Sequence, residues 1–285
     1  MRFAVALLVT AAIPASAQFG GILNKARSKV QETQTKAKPV TDRAERVASL
    51  QPWTAEEEQQ IGRATAEKMV AMFGIVEDPN VVRYVNLVGS AVARQASRKL
   101  PYRFGVLKSE IVGAFALPGG YIFITQGAVA QMENEAQLAG ALGHEVVHTA
   151  DRHLETEIRS KRGSAWAIQE ANTSRLATPD AIKLRADAFL NDLFNTSLSK
   201  DKEDASDRGG ATLAAKAGYA ANGLLVFIEK LSTVSKKEEN KRLFGQVLST
   251  HPSFDSRIAT LAELSKTSGD KGLTLEARFR GVVPR

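Results

Sequence analysis

Two of the four histidines in this 285-residue chain lie in one short stretch, Gly143-His144-Glu145-Val146-Val147-His148. On an α-helix, side chains four residues apart point about 40° from one another, so His144 and His148 can reach one ion from the same side. Glu145 projects about 100° further round, where a general base acting on a metal-bound water has to be. The pattern predicts two metal ligands and a base, the alternative being two histidines hydrogen-bonded on a polar helix face.

An open catalytic zinc site usually takes a His or a carboxylate as its third protein ligand. His153 is a poor candidate because, nine residues after His144 and five after His148, it falls on another face of the same predicted helix. The long metzincin pattern does not fit either, since Asp151 and Leu154 occupy its Gly and third-His positions. The third ligand is therefore expected from elsewhere in the chain.

The best candidate for that ligand lies in the segment Glu203-Asp204-Ala205-Ser206-Asp207. Glu203 and Asp207 share one helix face at a spacing of four residues. One acid can bind the metal while the other accepts the free N–H of a ligating histidine and so fixes its tautomer. Taken alone, such an acidic cluster is more often a solvated helix start.

The elements that must position these residues read as a helix-rich α+β fold with a small β-sheet or hairpin beside the helix of the metal motif. A capping box at Thr54 opens the first helix, and a second follows Asp78-Pro79. Gly140 and Gly143 each cost about 1 kcal/mol inside a helix, which suggests close packing of another backbone element. Strands are predicted at 103–108, 111–117 and 121–125, and helices at 134–153, 164–175, 180–198, 203–217, 221–233 and 254–266.

The ends of the chain differ in composition from its middle. Residues 1–17 have the pattern of a signal peptide, with Arg2, an apolar stretch and Ala15-Ser16-Ala17 at the cleavage site. Residues 18–51 form a basic, polar N-terminal arm or linker, 52–270 the folded domain and 271–285 a C-terminal tail. We therefore expect an exported, periplasmic protein that is soluble or peripherally bound to a membrane, since no later apolar run reaches the 18 residues of a membrane span.

Composition excludes several other classes of protein. The 38 Lys and Arg against 31 Asp and Glu give a net charge of +7, but no basic stripe or known module points to nucleic acid. The absence of Cys rules out disulfides and thiolate chemistry. The basic arm is read as a solvated linker or as a peripheral contact with a membrane or with cell-wall polymer.

The chain resembles the M48 family of zinc metallopeptidases, in particular its short, exported bacterial members without a transmembrane core or a repeat domain. The resemblance spans roughly residues 55–265. Two positions depart from the family pattern: Gly113 replaces a frequent Asn, which bears on substrate contacts, and Ser206 replaces a usual Ala, which should leave the ligand alone. The matching segments are 114–125, 135–140, 143–153, Glu203-x-x-x-Asp207, Ala217-Gly218-Tyr219, His251-Pro252 and Arg257-Ile258.

This resemblance implies one zinc ion per chain, bound by His144, His148 and Glu203, with Glu145 as general base and Asp207 supporting a ligating histidine. It implies peptide hydrolysis by a metal-activated water, with the 111–125 hairpin offering its edge to an extended peptide. His251 has three possible roles: a donor to the transition-state oxyanion, a fourth ligand that keeps the enzyme latent, or a plain loop histidine.

The expected function is zinc-dependent endopeptidase activity in quality control of unfolded or misfolded envelope proteins. The alternative is a non-catalytic or latent envelope chaperone or assembly factor on the same fold, with a purely structural zinc. An intact Glu145 argues against that alternative, because a structural zinc site has no use for a base at this position.

Overall fold

The computed structural model describes residues 53–161, 179–251, 253–268 and 271–283. The predicted signal peptide, the basic arm and the helix predicted at 164–175 lie outside these residues. The helices are α1 (Ala55–Phe73), α2 (Pro79–Ala93), α3 (Gln126–Ala130), α4 (Glu135–Ala150), α5 (Pro179–Asn195), α6 (Lys200–Lys216), α7 (Gly223–Ser235), α8 (Lys241–Thr250), α9 (Phe254–Ser268) and α10 (Glu276–Val282). The strands are β1 (Arg103–Leu107), β2 (Ala114–Ala116) and β3 (Tyr121–Thr125).

The three strands form one sheet in the order β1-β3-β2. β1 runs parallel to β3, whereas β2 and β3 form the predicted antiparallel hairpin, with Phe115 opposite Phe123. The hairpin turns through Pro118–Gly120, where Gly119 and Gly120 have φ values of 72° and 93° that favour glycine. Among the described residues β2 pairs only with β3, so its outer edge is free to pair with another strand.

Alternation along β3 gives the sheet two apolar faces. Ile122 and Ile124 belong to the larger core, which α2, α4, α6 and α7 also build. Phe123 points to the opposite face and packs in a smaller core together with residues of α1 and α5 such as Ile61 and Phe189. This helix-rich α+β arrangement confirms the fold class expected from the sequence.

Helix α4 is the central element, buried from Glu135 to Thr149. Its start is fixed by Asn134, whose side chain accepts a hydrogen bond from the Gln137 amide. A Cβ at Gly140 would lie 2.9 Å from the Leu224 amide nitrogen, and one at Gly143 would lie 2.7 Å from the Gly210 carbonyl oxygen. The close backbone packing expected from these two glycines is thus confirmed, and it brings α7 and α6 directly onto α4.

The end of α4 differs from the prediction, which continued the helix to about His153. The helix stops at Ala150, and Arg152 has a φ of 54°, in the left-handed region that a helix cannot contain. A new helical stretch begins at 153 and is described as far as 161. His153 therefore does not lie on the same helix as His144 and His148, so that placement was wrong, although the conclusion that His153 is a poor ligand candidate agrees with the group of converging ligand atoms, which does not include it.

The segment that follows the domain boundary expected near 270 packs against the N-terminal end of α4. Glu135, fully buried, accepts hydrogen bonds from Tyr84 (2.6 Å) and Tyr219 (2.7 Å) and forms an ion pair with Arg278 of α10. Phe279 of the same helix is buried in the larger core. Helices α3, α8 and α10 were absent from the sequence prediction, and each is ten residues or shorter.

Candidate metal centre

His144 and His148 project from α4 into one buried site, as their spacing predicts. Their Nε2 atoms are 2.9 Å apart, and the two side chains are only 2% and 4% exposed. The rings meet nearly edge to face, with 4.5 Å between their centres. Both imidazoles therefore offer a nitrogen to the same point.

Helix α6 places Glu203 against these nitrogens. One carboxylate oxygen of Glu203 is 3.6 Å from Nε2 of His144 and the other is 3.4 Å from Nε2 of His148. Glu203 has no solvent exposure, and its Oε1, the atom nearer His148, has no hydrogen-bond partner. An unsatisfied buried carboxylate oxygen aimed at an imidazole nitrogen is costly in a protein interior, and a bound cation would satisfy it.

His251 completes the group. It directly follows α8, and its Nδ1 lies 2.8 Å from Oε2 of Glu203. One potential ligand atom from each of His144, His148, Glu203 and His251 lies within 4.8 Å of the others. A set of imidazole nitrogens and one carboxylate matches the donors that zinc prefers, so these residues fit the expected ion.

Two of the charge states in the group, those of Glu203 and His148, suit metal binding. Burial opposes ionisation of Glu203, but the neighbouring His251, His148 and His144 outweigh it and hold the pKa of the carboxyl well below its usual range. Burial lowers the pKa of His148 well below its usual value, which keeps that ring neutral. The pKa of His251 is raised because the Glu203 carboxylate outweighs the effect of burial on it.

Asp207, one helical turn after Glu203, contacts the other side of His144. Its Oδ1 is 2.9 Å from Nδ1 of His144, and Arg257 of α9 donates to both carboxylate oxygens at 3.0 and 2.6 Å. Burial opposes its ionisation, but Arg257 and the contact with His144 lower the pKa of Asp207 to about 2. An ionised Asp207 accepts the Nδ1–H of His144 and so leaves the Nε2 lone pair facing the site. The sequence assigned no role to Arg257.

Glu145 directly follows His144 on α4 and is not part of the four-residue group. The side chain is buried, and burial raises its pKa above the usual value for glutamate. A glutamate with a raised pKa is a better proton acceptor than an exposed one, because a stronger conjugate base drives proton transfer further.

Two cavities flank Glu145 and His251, and both reach Ala114 on the edge strand β2. The first, which we name the α7 cavity, has about 440 Å³ of empty space, including its open mouth, and its apolar wall includes Ala141, Leu224, Phe227, Ile228 and Leu231. The second, the α5 cavity, has about 450 Å³ and its wall includes Phe115, Leu154, Leu193 and Leu198. A chain lying along β2 would thus meet apolar surface on both sides of Glu145.

His153 reaches the site through His148, although it is not one of the four converging residues. Its Nδ1 lies 3.0 Å from Nδ1 of His148 and 3.0 Å from the hydroxyl oxygen of Ser206. The sequence did not predict this contact with His148, because the break after Ala150 is not visible in a periodic pattern. Ser206, treated as a neutral replacement, is fully buried at the same place.

A zinc-type ligand group centred on a buried helix, with Glu145 beside it and, within the described residues, an unpaired outer edge of β2 nearby, is typical of zincin-like metallopeptidases. Comparison with known proteins identifies the family within this class. The model of "Peptidase family M48" matches residues 79–265, which is more than half of the chain. The chain belongs to peptidase family M48, a family of zinc metallopeptidases.

Similar proteins include the beta-barrel assembly-enhancing protease of Escherichia coli strain K12, with 26% identity over 213 residues. The mitochondrial metalloendopeptidase OMA1 of Arabidopsis thaliana is 31% identical over 159 residues. These alignments cover 71% and 55% of this chain but only 42% and 30% of the two relatives. The chain therefore spans less than half the length of these relatives. Within its described residues, no helix has both the length and the apolar character needed to cross a bilayer.

Proposed function

We propose that this protein is a zinc-dependent metalloendopeptidase, with His144, His148 and Glu203 as the zinc ligands and Glu145 as the general base. The observation that carries the proposal is the convergence of two imidazoles and an unsatisfied buried carboxylate oxygen beside a buried glutamate. Asp207 is proposed to orient His144 through the 2.9 Å contact with its Nδ1. Membership of a zinc metallopeptidase family supports the same assignment.

The reaction follows from these positions. When bound, zinc acts as a Lewis acid that acidifies a coordinated water and polarises the scissile carbonyl. Glu145 takes one proton from the attacking water while the oxygen bonds to the carbonyl carbon. The same carboxyl then gives that proton to the amide nitrogen as the C–N bond breaks, so the amine leaves neutral. Burial keeps bulk water from competing for the proton.

His251 has two proposed roles. Its place within the four-residue group supports a fourth ligand that keeps the site latent, whereas its place on the wall of both cavities supports a donor to the oxyanion. A plain loop histidine has less support, because His251 is only 14% exposed and bonds to Glu203. His251→Ala separates the two: lost activity with zinc retained favours the donor, and increased activity favours latency.

The proposed substrate is an extended segment of an unfolded or misfolded protein that adds to the free edge of β2. Backbone pairing does not depend on side chains, so it predicts broad sequence tolerance. If the peptide runs antiparallel to β2, the more stable arrangement, its residue after the scissile bond faces the α7 cavity near Val112. Cleavage profiling with a mixed peptide library should then show apolar side chains flanking the cut, and most clearly on that side.

Envelope quality control is the proposed biological setting. The name of the Escherichia coli relative, beta-barrel assembly-enhancing protease, supports it, as does the signal-peptide pattern of residues 1–17. Export to the periplasm, a soluble or peripherally bound state and a membrane or cell-wall contact through 18–51 belong to the same proposal. Deleting 18–51 and measuring co-sedimentation with anionic vesicles tests that contact. The boundaries of the folded domain at 52–270 and of the C-terminal tail at 271–285 also stay predictions.

The decisive experiment replaces Glu145 with Gln, which keeps the shape of the side chain but removes the base. The variant should fold and bind zinc like the wild type and should not cleave casein. If zinc-loaded wild type cleaves nothing and the variant still binds unfolded chains equally well, the chaperone or assembly-factor alternative replaces the peptidase. His144→Ala serves as the matched control, because it should lose zinc as well as activity.

A further inference from the structure

His153 is buried, with 7% of its surface exposed, and the proposed reaction gives it no part. Its ring stands nearly perpendicular to that of His148, with 5.0 Å between the ring centres. The two Nδ1 atoms face each other at 3.0 Å, and the hydroxyl of Ser206 approaches the same His153 nitrogen at 3.0 Å. Its other nitrogen, Nε2, lies 3.9 Å from the Asp151 carboxylate.

The break after α4 is what brings His153 to this position. Continued helix would have carried it away from His148, but Arg152 adopts a φ of 54°, a conformation that costs a non-glycine residue on the order of 1 kcal/mol. The guanidinium of Arg152 is held at 2.8 Å by Glu58, which also pairs with Arg98 at 2.5 Å. A strained residue fixed by a buried carboxylate on α1 therefore aims His153 at His148.

Two imidazole nitrogens that face each other at hydrogen-bond distance can share only one proton. If the proton is on His148, its Nε2 carries a lone pair directed at His144 and Glu203. If the proton is instead on His153, neutral His148 must carry its own proton on Nε2, 2.9 Å from Nε2 of His144. A proton in that position would block metal binding by His148.

We propose that His153 is a positioning residue for His148: its Nδ1 accepts the Nδ1–H of His148 and so keeps the Nε2 lone pair directed at the metal site. The Ser206 hydroxyl lies 3.0 Å from the same nitrogen, and a hydroxyl donating there shares the single lone pair with the His148 N–H and disfavours a proton on Nδ1 of His153. The proposal rests on the ligand role proposed for His148. Each of the two histidine ligands on α4 would then donate its Nδ1–H to an acceptor of its own, His144 to Asp207 and His148 to His153.

The test uses a pair of substitutions with matched shape. Asn and Leu have the same branched skeleton, but only Asn has an acceptor oxygen close to the position of the histidine Nδ1. In a competition assay with a chromogenic chelator, we expect His153→Leu to lower the zinc affinity about 10-fold or more, the usual effect of losing a partner of a ligand. His153→Asn should stay close to the wild type. Equal affinity of both variants, whether reduced or unchanged, overturns the proposal.

Ile158→Ala is the control for general loosening of the same helical stretch, since Ile158 is buried in the smaller core and belongs to the stretch that begins at His153. It should lower the unfolding temperature without changing the zinc affinity. If His153→Leu fails to fold, the tautomer measurement below still decides the matter.

Nitrogen-15 NMR of the histidines in zinc-loaded wild-type protein reads the tautomers directly. We expect a proton on Nδ1 of His148 and on Nε2 of His153, and a proton on Nδ1 of His153 overturns the proposal. The two proposals fail in different ways. If the protein cleaves its substrate but His153→Leu leaves the zinc affinity unchanged, only the positioning role is refuted. If the expected tautomers are found but no cleavage is detected, only the peptidase function is refuted.

Discussion

Gly210 lies where α6 crosses α4, and replacing it with Ala should damage the metal centre more than the fold. A Cβ on Gly210 would lie 2.5 Å from the backbone nitrogen of His144 and 2.8 Å from its Cα. These atoms belong to the buried backbone of α4 and cannot turn aside as a side chain would. The shortest contact is about 0.9 Å below the 3.4 Å at which ordinary contact begins, so α6 must move away from α4.

That movement acts on Glu203, two helical turns earlier on the same face of α6. Ligand distances in a metal site tolerate about ±0.2 Å, so even a third of the displacement would take the carboxylate out of range. Overpacking costs about 1–3 kcal/mol, and the better helix propensity of Ala returns about 1 kcal/mol. We therefore expect a loss of 2 kcal/mol or less in the free energy of unfolding, ~10-fold or greater loss of zinc affinity, and matching loss of cleavage.

Urea unfolding of the metal-free protein, chelator competition and casein cleavage measure the three quantities separately. Gly245→Ala is the matched control, because Gly245 lies in α8 and a Cβ there would meet nothing within 4 Å. It should gain up to about 1 kcal/mol of stability and keep the wild-type zinc affinity. A Gly210→Ala variant that binds zinc as tightly as the wild type would refute the claim that this glycine contact sets the position of Glu203.

Three further predictions concern other parts of the molecule. Glu135→Gln removes a carboxylate whose pKa is lowered in the folded protein, because hydrogen bonds from Arg278, Tyr84 and Tyr219 outweigh the effect of burial. The ionised carboxylate therefore stabilises the fold at any pH above its pKa in the unfolded chain, and this stabilisation is lost as the pH falls through its pKa in the folded protein. Urea unfolding should thus show a difference of about 1–2 kcal/mol from wild type at pH 7 that shrinks below pH 4.5, and a constant difference would contradict this. Removing zinc with a chelator should lower the unfolding temperature, since an ion at 1,000 times its Kd stabilises by about 4 kcal/mol, whereas His144→Ala should be insensitive to the chelator. Leu231→Phe should narrow the α7 cavity and reduce cleavage next to large apolar residues at unchanged zinc affinity, while Leu87→Phe, at an exposed position, should leave the cleavage profile unaltered.

The sequence predicted the parts of the site that depend on helical periodicity. His144, His148 and Glu145 are placed by a spacing that any α-helix enforces, so their arrangement could be read before the fold was known. Glu203 and Asp207 could be paired with each other in the same way, but their meeting with α4 depends on the crossing of two distant helices. Residue chemistry made this segment the best candidate for the third ligand, and the resemblance to a family strengthened that assignment.

His153 shows what periodicity cannot predict. Its position depends on one residue, Arg152, which leaves the helical region because Glu58, 94 positions earlier, holds its side chain. Nothing local in the segment 150–153 marks the break, since neither Gly nor Pro is present there. The short helices α3, α8 and α10 were missed for a related reason, because five to ten residues are too few to establish a period.

The acidic segment of α6 has the sequence pattern of a solvated helix start, yet its residues Glu203, Ser206 and Asp207 are buried on one face of the helix. Glu203, Ser206, Asp207 and Gly210 follow one another at i, i+3, i+4 and i+7, the spacing that usually carries apolar side chains toward a core. All four are buried, so this helix faces α4 with a carboxylate, a hydroxyl, a second carboxylate and a bare backbone. Such a face is stable only if every polar group on it finds a partner. His144 and Arg257 serve Asp207, His153 serves Ser206, and Glu203 keeps one oxygen without a hydrogen bond. The polar groups of this face are thus satisfied except at Oε1 of Glu203, the oxygen that faces His148, which is why we expect metal binding and the docking of α6 on α4 to stabilise each other.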